Sequence, residues 1–527
     1  MPDLRSPKAL SSGDALFLYL EREGAPLSVA AIADFEGHLP LDLCAKFIES
    51  KLPLIPRYRQ RVVVPPLNMG LPVWEFDPNF DIRNHVHEVT LKRGTDGEFK
   101  AAAGRVLSTM LRRDRPLWDF TLVHGLKGNR TGAIIRIHHC LADGISGVGI
   151  LNTLLDPSPF VSMPKNQQKD LEVPAPRPQS IVESLVNTCL TSLERALTVQ
   201  TDLLEMGRHF LLSAAQPGNG ISSHSSSDPT AAIISTFEEI NRLTHEFGAP
   251  TERLPFNVVC RGPQTFNWAC ISLAEMKEVK NACEATINDV VLTVVSAAVR
   301  RYAEMHGMRM SRRMLRIIVP VNLRGNGDAN VLGNRITFLP VDIPLYISDP
   351  KKHLQAVQRA VARARGAKMA ELISIVGTLV ETIPTPLQAM CLPLLSHLPL
   401  SVCNMICTNV PGPPIPLYLL GHKMLACYPY VPIGSEMGMN CAVLSYNENV
   451  HFGFGGDAYA IPDQKVMEKF LLASFAELRK ATAVARVRKP PVNRKPKPSP
   501  KVEPVNAAEL DTIRSRRQGT AAAGSAA

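Results

Sequence analysis

A chain of 527 residues, 45% hydrophobic and 20% charged, can build two or three globular domains with real cores, which excludes a small stapled scaffold and a disordered polymer. Its eleven cysteines run from Cys44 to Cys441 without paired spacing, and the one close pair, Cys403 and Cys407, lacks partners for zinc; a reducing compartment is the natural inference. The net charge of +10 resides mostly in one place, because Arg486–Ala527 carries ten basic residues against Glu503, Glu509 and Asp511, a net of +7.

In chain order, the apolar run at residues 15–20 is shorter than the core of a secretory signal and has no cleavage pattern, so secretion is not expected. Residues 41–52 have helical spacing, and residues 86–91 and 132–137 read as strands. Prolines crowd residues 157–178, a connector, followed by a long amphipathic helix over 180–215 and a serine-rich loop at 218–230. The mixture then repeats: helix 289–303, strand 315–319, helix 351–365 and a hairpin around 447–449, where Glu448 is a poor residue for a two-residue turn. The expected organisation is a first domain at 1–158, a connector at 159–231, a second domain at 232–482 and a disordered basic tail at 483–527. The tail has six prolines between Pro490 and Pro504 and no aromatic residue among its charges. It suits anionic lipid headgroups or plain solvation, and no specific nucleic acid.

Residues 382–422 contain no charged side chain, yet prolines at 384, 386, 393, 399, 411, 413, 414 and 416 prevent any continuous membrane-spanning helix. The apolar surface of that segment is therefore buried, lines a hydrocarbon tunnel, or lies on lipid. Residues 387–395 suit an interfacial contact.

The segment His138-His139-Cys140-Leu141-Ala142-Asp143-Gly144 carries the strongest chemical signal. Histidine titrates closest to neutrality, and a pair where a strand opens into a loop is placed to move protons. Alternation along the strand puts Ile135, Ile137 and His139 on one face and Ile134, Arg136 and His138 on the other, so only one imidazole is expected to meet substrate. Asp143 would lie under the loop, holding an imidazole tautomer, receiving a basic side chain or capping the helix that follows, while Gly144 permits a tight turn. Adjacent histidines on opposite faces do not chelate one ion easily, which disfavours a metal site.

This segment resembles the HHxxxDG signature of the wax ester synthase/diacylglycerol acyltransferase family. Further blocks agree in order: Leu10-Ser11-Ser12-Gly13-Asp14-Ala15-Leu16-Phe17-Leu18, without the usual proline; Arg115-Pro116-Leu117-Trp118-Asp119; Thr286-Ile287-Asn288-Asp289-Val290-Val291-Leu292; Val319-Pro320-Val321-Asn322-Leu323-Arg324; Asn409-Val410-Pro411-Gly412-Pro413; and Ser445-Tyr446-Asn447. The resemblance spans roughly residues 8–480.

It implies an α/β (α+β) fold of two chloramphenicol-acetyltransferase-like domains, each a mixed sheet with helices, and a channel between them. It also implies transfer of a long-chain acyl group from acyl-CoA, a co-substrate, to diacylglycerol or a long-chain alcohol, with no permanently bound cofactor and no metal. His139 would be the general base, with His138 and Asp143 completing the motif and no covalent acyl-enzyme. Arg324 or Arg335 would pair with Asp143. Asn288-Asp289 is also readable as a helix N-cap, and Thr408 and Asn409 as an oxyanion or channel element or as part of an ordinary rigid turn. His124 and His451 read as core or surface histidines. Diacylglycerol is the favoured acceptor, and such lipids imply a cytoplasmic protein in peripheral contact with a membrane or lipid inclusion. A non-catalytic lipid-binding or droplet-coating descendant is the alternative, against which the intact motif counts.

Overall fold

A computed structural model describes residues 8–141, 144–160, 251–322, 336–366, 383, 385–395 and 403–482. The expected helix at 180–215, the serine-rich loop at 218–230 and the tail from 483 lie outside the described residues.

The first half runs β1 (Lys8–Ala9), α1 (Ser12–Leu20), β2 (Ser28–Glu36), α2 (Leu41–Lys51), β3 (Gln60–Val63), β4 (Val73–Phe76), β5 (Val86–Thr90), α3 (Asp96–Leu107), β6 (Trp118–Leu126), β7 (Arg130–His138) and α4 (Gly144–Leu154). The second half runs β8 (Gln264–Ser272), α5 (Leu273–Ala282), α6 (Ile287–Met305), β9 (Met314–Asn322), β10 (Ile336–Pro344), α7 (Pro350–Gly366), α8 (Thr385–Leu395), β11 (Met405–Pro411), β12 (Tyr418–Leu419), β13 (His422–Tyr430), β14 (Met439–Tyr446), β15 (Asn449–Asp457) and α9 (Val466–Ala481).

Two six-stranded mixed sheets organise these elements, ordered β12-β13-β2-β7-β6-β5 and β10-β9-β11-β14-β15-β8, beside a small β1-β4-β3 sheet. The expected α/β architecture of two sheet-rich halves is therefore the observed one. Apolar residues recur at helical spacing on α6, so Val290, Val291, Val294, Val295, Ala298 and Val299 are all buried against the second sheet. In the first sheet, α2 and α4 cover the face of Ile135 and Ile137. Helix α3 covers the other face through Phe99 and Ala103, which share a core with Phe266 and Trp268 of β8. A Cβ on Gly104 would come within 2.8 Å of the Gln264 carbonyl, so glycine lets α3 lie directly on β8.

The halves also share strands. β13 belongs to the second half by sequence, yet it pairs antiparallel with β2, placing Tyr428 opposite Ile32 and Tyr430 opposite Ala30. Nothing in local hydrophobic patterning marks a strand for export to another sheet, and sequence reasoning did not anticipate this exchange.

Among the described residues no single helix is long and apolar enough to cross a membrane; the pair α5 and α6 passes only jointly, bent by 101°. Every cysteine among the described residues is free.

Candidate active site

β7 lies inside the first sheet, with β2 and β6 on either side, so the backbone of the histidine segment is gripped from both edges. The His138 N–H donates to the Leu117 carbonyl at 2.9 Å, and the His139 N–H donates to the Leu27 carbonyl at 2.9 Å. Pleating then sends the two imidazoles apart, as period-two alternation requires.

His138 is 0% exposed. Its Nδ1 accepts the Cys140 N–H at 3.1 Å, which places the ring proton on Nε2, and Nε2 faces Glu21 Oε1 at 3.4 Å. Glu21, just after α1, has a side chain 1% exposed. Its Oε1 accepts the Leu27 N–H at 3.1 Å and its Oε2 accepts from Arg113 at 3.0 Å. Burial by itself would raise the Glu21 carboxyl; the hydrogen bonds and charges of His138 and Arg113 outweigh it and hold the group below the ordinary carboxylate range. Arg113 also donates to the Leu18 carbonyl at 2.7 Å, tying the network to the end of α1.

His139 is half-buried, and its ring stacks on Phe17 with centroids 3.9 Å apart and planes at 15°. Phe17 is presented by α1, whose first turn is capped by the Ser11 hydroxyl accepting the Asp14 N–H at 3.0 Å. The Leu141 N–H donates to the His138 carbonyl at 2.9 Å, closing a tight turn, and α4 starts at Gly144. Asp143, Arg324 and Arg335 lie outside the described residues.

The block at 115–119 has a structural explanation residue by residue. The Pro116 carbonyl accepts the Trp118 N–H at 3.0 Å, Leu117 is fully buried while its carbonyl holds His138, and Trp118 Nε1 donates to the Tyr58 carbonyl at 2.8 Å. The indole also stacks on His85 at 4.4 Å. Asp119 accepts from Arg136 across the β6–β7 ladder at 3.1 and 2.5 Å, and the same guanidinium donates to the Val106 carbonyl at the end of α3.

From the second half, Asn409 Nδ2 on β11 lies 3.5 Å from Asn288 Oδ1 on α6, so two separated sequence blocks meet. β11, which also carries the half-buried Thr408, packs against α6 and against α4, the helix that follows the histidine segment. Asn288 and Asp289 are not themselves the N-cap: Thr286 is, and Asp289 Oδ2 accepts the Thr286 N–H at 2.8 Å, completing a capping box.

His124 lies 3.3 Å from Glu88, with burial pushing its basicity down. His451 is buried among Tyr428 and Tyr446, and burial lowers its pKa to about 4. Among the described residues no group of three His, Cys, Asp or Glu side chains is arranged to hold a metal ion.

Sequence reasoning did not find Glu21 or Arg113. The available signal was the carboxylate that ends the apolar run carrying Phe17, ahead of Arg22 and Glu23, since such a residue stays in a folded core only when it is paired.

The wax ester synthase/diacylglycerol acyltransferase catalytic domain matches residues 10–291, and the C-terminal domain of the same family matches residues 332–479. The chain belongs to the wax ester synthase/diacylglycerol acyltransferase family. It is accordingly an acyltransferase of the diacylglycerol O-acyltransferase and wax ester synthase type.

The chain is 26% identical over 484 residues to the probable diacylglycerol O-acyltransferase tgs1 of Mycobacterium tuberculosis, covering 91% of this chain and 97% of that protein. It is 25% identical over 491 residues to the probable diacylglycerol O-acyltransferase tgs2 of the same organism, with coverage of 89% and 98%. The fold matches the wax ester synthase/diacylglycerol acyltransferase of Marinobacter aquaeolei VT8 with a TM-score of 0.61 at 21% identity, over 90% of this chain and 100% of that one. It also matches the first condensation domain of the CDA synthetase with a TM-score of 0.53 at 15% identity, over 90% and 97%.

Proposed function

We propose that this family member joins a long-chain acyl group from acyl-CoA to the free hydroxyl of diacylglycerol, with long-chain alcohols as second acceptors, and that His139 is the general base. The observation that carries this reading is the division of labour between adjacent imidazoles. His138 is consumed by Glu21 and the Cys140 N–H, whereas His139 is half-buried and braced by Phe17 with its backbone fixed to Leu27.

In the proposed reaction His139 takes the hydroxyl proton as the oxygen bonds to the thioester carbonyl carbon. The tetrahedral intermediate then collapses, the C–S bond breaks, and the departing CoA thiolate recovers the proton from the imidazolium. A thiolate leaves readily, so proton removal, alignment and oxyanion stabilisation are the tasks left to the protein. Asn288 and Asn409, joined on the second half, are our candidates to orient the carbonyl or the oxyanion; Asp143, in the same sequence motif as His139, is assigned to orienting the site. The coarse chemistry is supported by family membership, and acyl-CoA as donor by a similarly folded starter condensation domain solved with C8-CoA.

The test is purified protein with labelled palmitoyl-CoA against dioleoylglycerol and hexadecanol, each with His139→Ala. The substitution is expected to lower turnover roughly 10²- to 10⁴-fold without changing the circular dichroism spectrum. Near-normal turnover by the variant rejects His139 as base, and preference for hexadecanol rejects diacylglycerol as main acceptor.

We further propose a peripheral lipid contact through α8. Leu387 and Met390 are 44% and 62% exposed there, and the Thr385 hydroxyl accepts the Gly70 N–H at 3.0 Å, which draws in the turn bearing Leu67, itself 71% exposed. An apolar surface of this kind suits an enzyme whose acceptor and product partition into lipid. Replacing Leu387 and Met390 together with aspartate is expected to abolish most co-flotation with phosphatidylcholine vesicles. Undiminished flotation rejects the assignment. The free cysteines support a reducing, cytoplasmic setting.

A further inference from the structure

The second half holds a cavity of about 260 Å³ that no step of the proposed reaction uses, between the C-terminal turns of α6, the start of α7 and the end of α9. Among the described residues none of its walls belongs to the first half, which carries the histidine segment. On α6, Arg300 stands twelve residues beyond Asn288, about 18 Å along the axis. We propose that this cavity is a binding site for a compact organic anion, with a carboxylate or phosphate head on Arg300 and a body of a few carbons against Val294, Ala297, Ile347 and Leu478.

Two adjacent arginines line the cavity and are used differently. Arg301 Nε donates to Ser474 Oγ at 3.1 Å and its Nη2 donates to Glu477, so this side chain ties α6 to α9. Arg300 donates through Nε to Glu304 Oε1 at 2.8 Å, and among the described residues its two Nη groups meet no acceptor. Its side chain is nevertheless only 19% exposed. A guanidinium is costly to take out of water, and its Nη groups form a planar fork that fits the two oxygens of a carboxylate or phosphate. Arg300 holds that fork in a sheltered space.

The four ionised walls, Arg300, Arg301, Glu304 and Glu477, sum to zero charge, but they are not equally sheltered. Glu304 and Glu477 are 42% and 55% exposed, so water screens them, whereas the field of Arg300 acts mostly inward. His353 adds no charge at neutral pH. It is 2% exposed, and burial first, then the charge of Arg300, lowers its pKa to about 4. Its Nε2 donates to Ser296 Oγ at 3.2 Å, and that hydroxyl donates onward to the Thr293 carbonyl at 3.1 Å. The interior is therefore positive, beside an apolar wall.

Volume sets the size of the ligand. About 260 Å³ is the share of roughly eight water molecules at about 30 Å³ each, below the range of cofactor pockets. CoA and a long acyl chain do not fit, so the site is separate from the substrate path.

The test is titration calorimetry of the purified full chain at low ionic strength with acetate, hexanoate, inorganic phosphate, butyl phosphate and hexanol. Hexanoate is expected to bind saturably and about tenfold or more tighter than acetate, or butyl phosphate likewise against inorganic phosphate, because methylenes leave water for the apolar wall. The tighter of the two identifies the head group. Hexanol, which lacks a charge, is expected not to bind. Arg300→Gln is expected to weaken binding about tenfold or more, and Arg300→Lys, which keeps the charge and loses the fork, to weaken it less. Ala297→Leu narrows the cavity without touching charge and is expected to weaken the longer anions while sparing acetate and inorganic phosphate. Circular dichroism of the free variants checks their folding. Absence of saturable binding, equal binding of hexanol, or affinity that ignores either Arg300→Gln or Ala297→Leu overturns the inference. The measurement needs no turnover, so its outcome is independent of the acyl-transfer reading.

Discussion

Glu21 stays ionised in a nearly dry place because His138, Arg113 and the Leu27 N–H share its two oxygens. Removing it leaves the buried Nε2–H of His138 and the Leu27 N–H without their acceptor while the part-exposed Arg113 turns to water, so Glu21→Ala is expected to destabilise the fold by about 1–3 kcal/mol in denaturant titration. The same linkage fixes a pH dependence. A carboxyl with a depressed folded-state pKa contributes stability that is present above its unfolded value and lost as pH falls through the folded one, so the contribution of Glu21 is complete at neutral pH and disappears in strong acid. In Glu21→Gln the acid limb of the stability curve is expected to flatten; an unchanged limb would show that Glu21 does not govern it. At this scale the opposite facing of His138 and His139 was legible, because period two is a local rule. Glu21 was not, because its partner is brought by β2 and β7 pairing and no spacing connects the two positions.

Where elements join, the β14–β15 turn is informative. Asn447 and Glu448 both adopt left-handed backbone conformations, with φ of 43° and 66°, and close the hairpin expected around 447–449. Asparagine tolerates that region, whereas glutamate meets a Cβ clash. Glu448→Gly is therefore expected to raise stability by about 0.5–1 kcal/mol, read as a higher melting temperature with unchanged activity. The turn formed despite its poor second residue because the strands on either side are buried and pair along their whole length. Helices α2, α6 and α7 and strands β7 and β9 were legible from periodicity, since each buries one face or one continuous run, and β5 was legible although only Val86 of it is buried. The capping box at Thr286 and Asp289 shows the limit of such reading: an Asn-Asp pair signals a helix start, but which residue caps depends on backbone angles two positions earlier.

On the scale of the whole molecule, the two halves are completed by each other. The first sheet takes β13 from the second half beside β2, and α3 of the first half lies on β8 of the second sheet. Residues 1–160 expressed alone would present β2 as an unpaired apolar edge, and are expected to aggregate or form mixed oligomers on size-exclusion chromatography. A monodisperse, cooperatively melting fragment would contradict this. The general two-sheet architecture was expected from the family resemblance, with which the repeated mixture of helices and strands agreed, but pairing across the middle of the chain is a long-range choice that composition does not encode. Synthesis adds a timing constraint. The strand bearing His138 emerges from the ribosome roughly 290 residues ahead of Tyr430, which at cellular elongation rates is a delay of about 15–60 s. During that interval the neighbour of the reactive strand lacks its outer partner, so nascent chains are expected to depend on holding chaperones, and competence for acyl transfer can arise only near the end of translation.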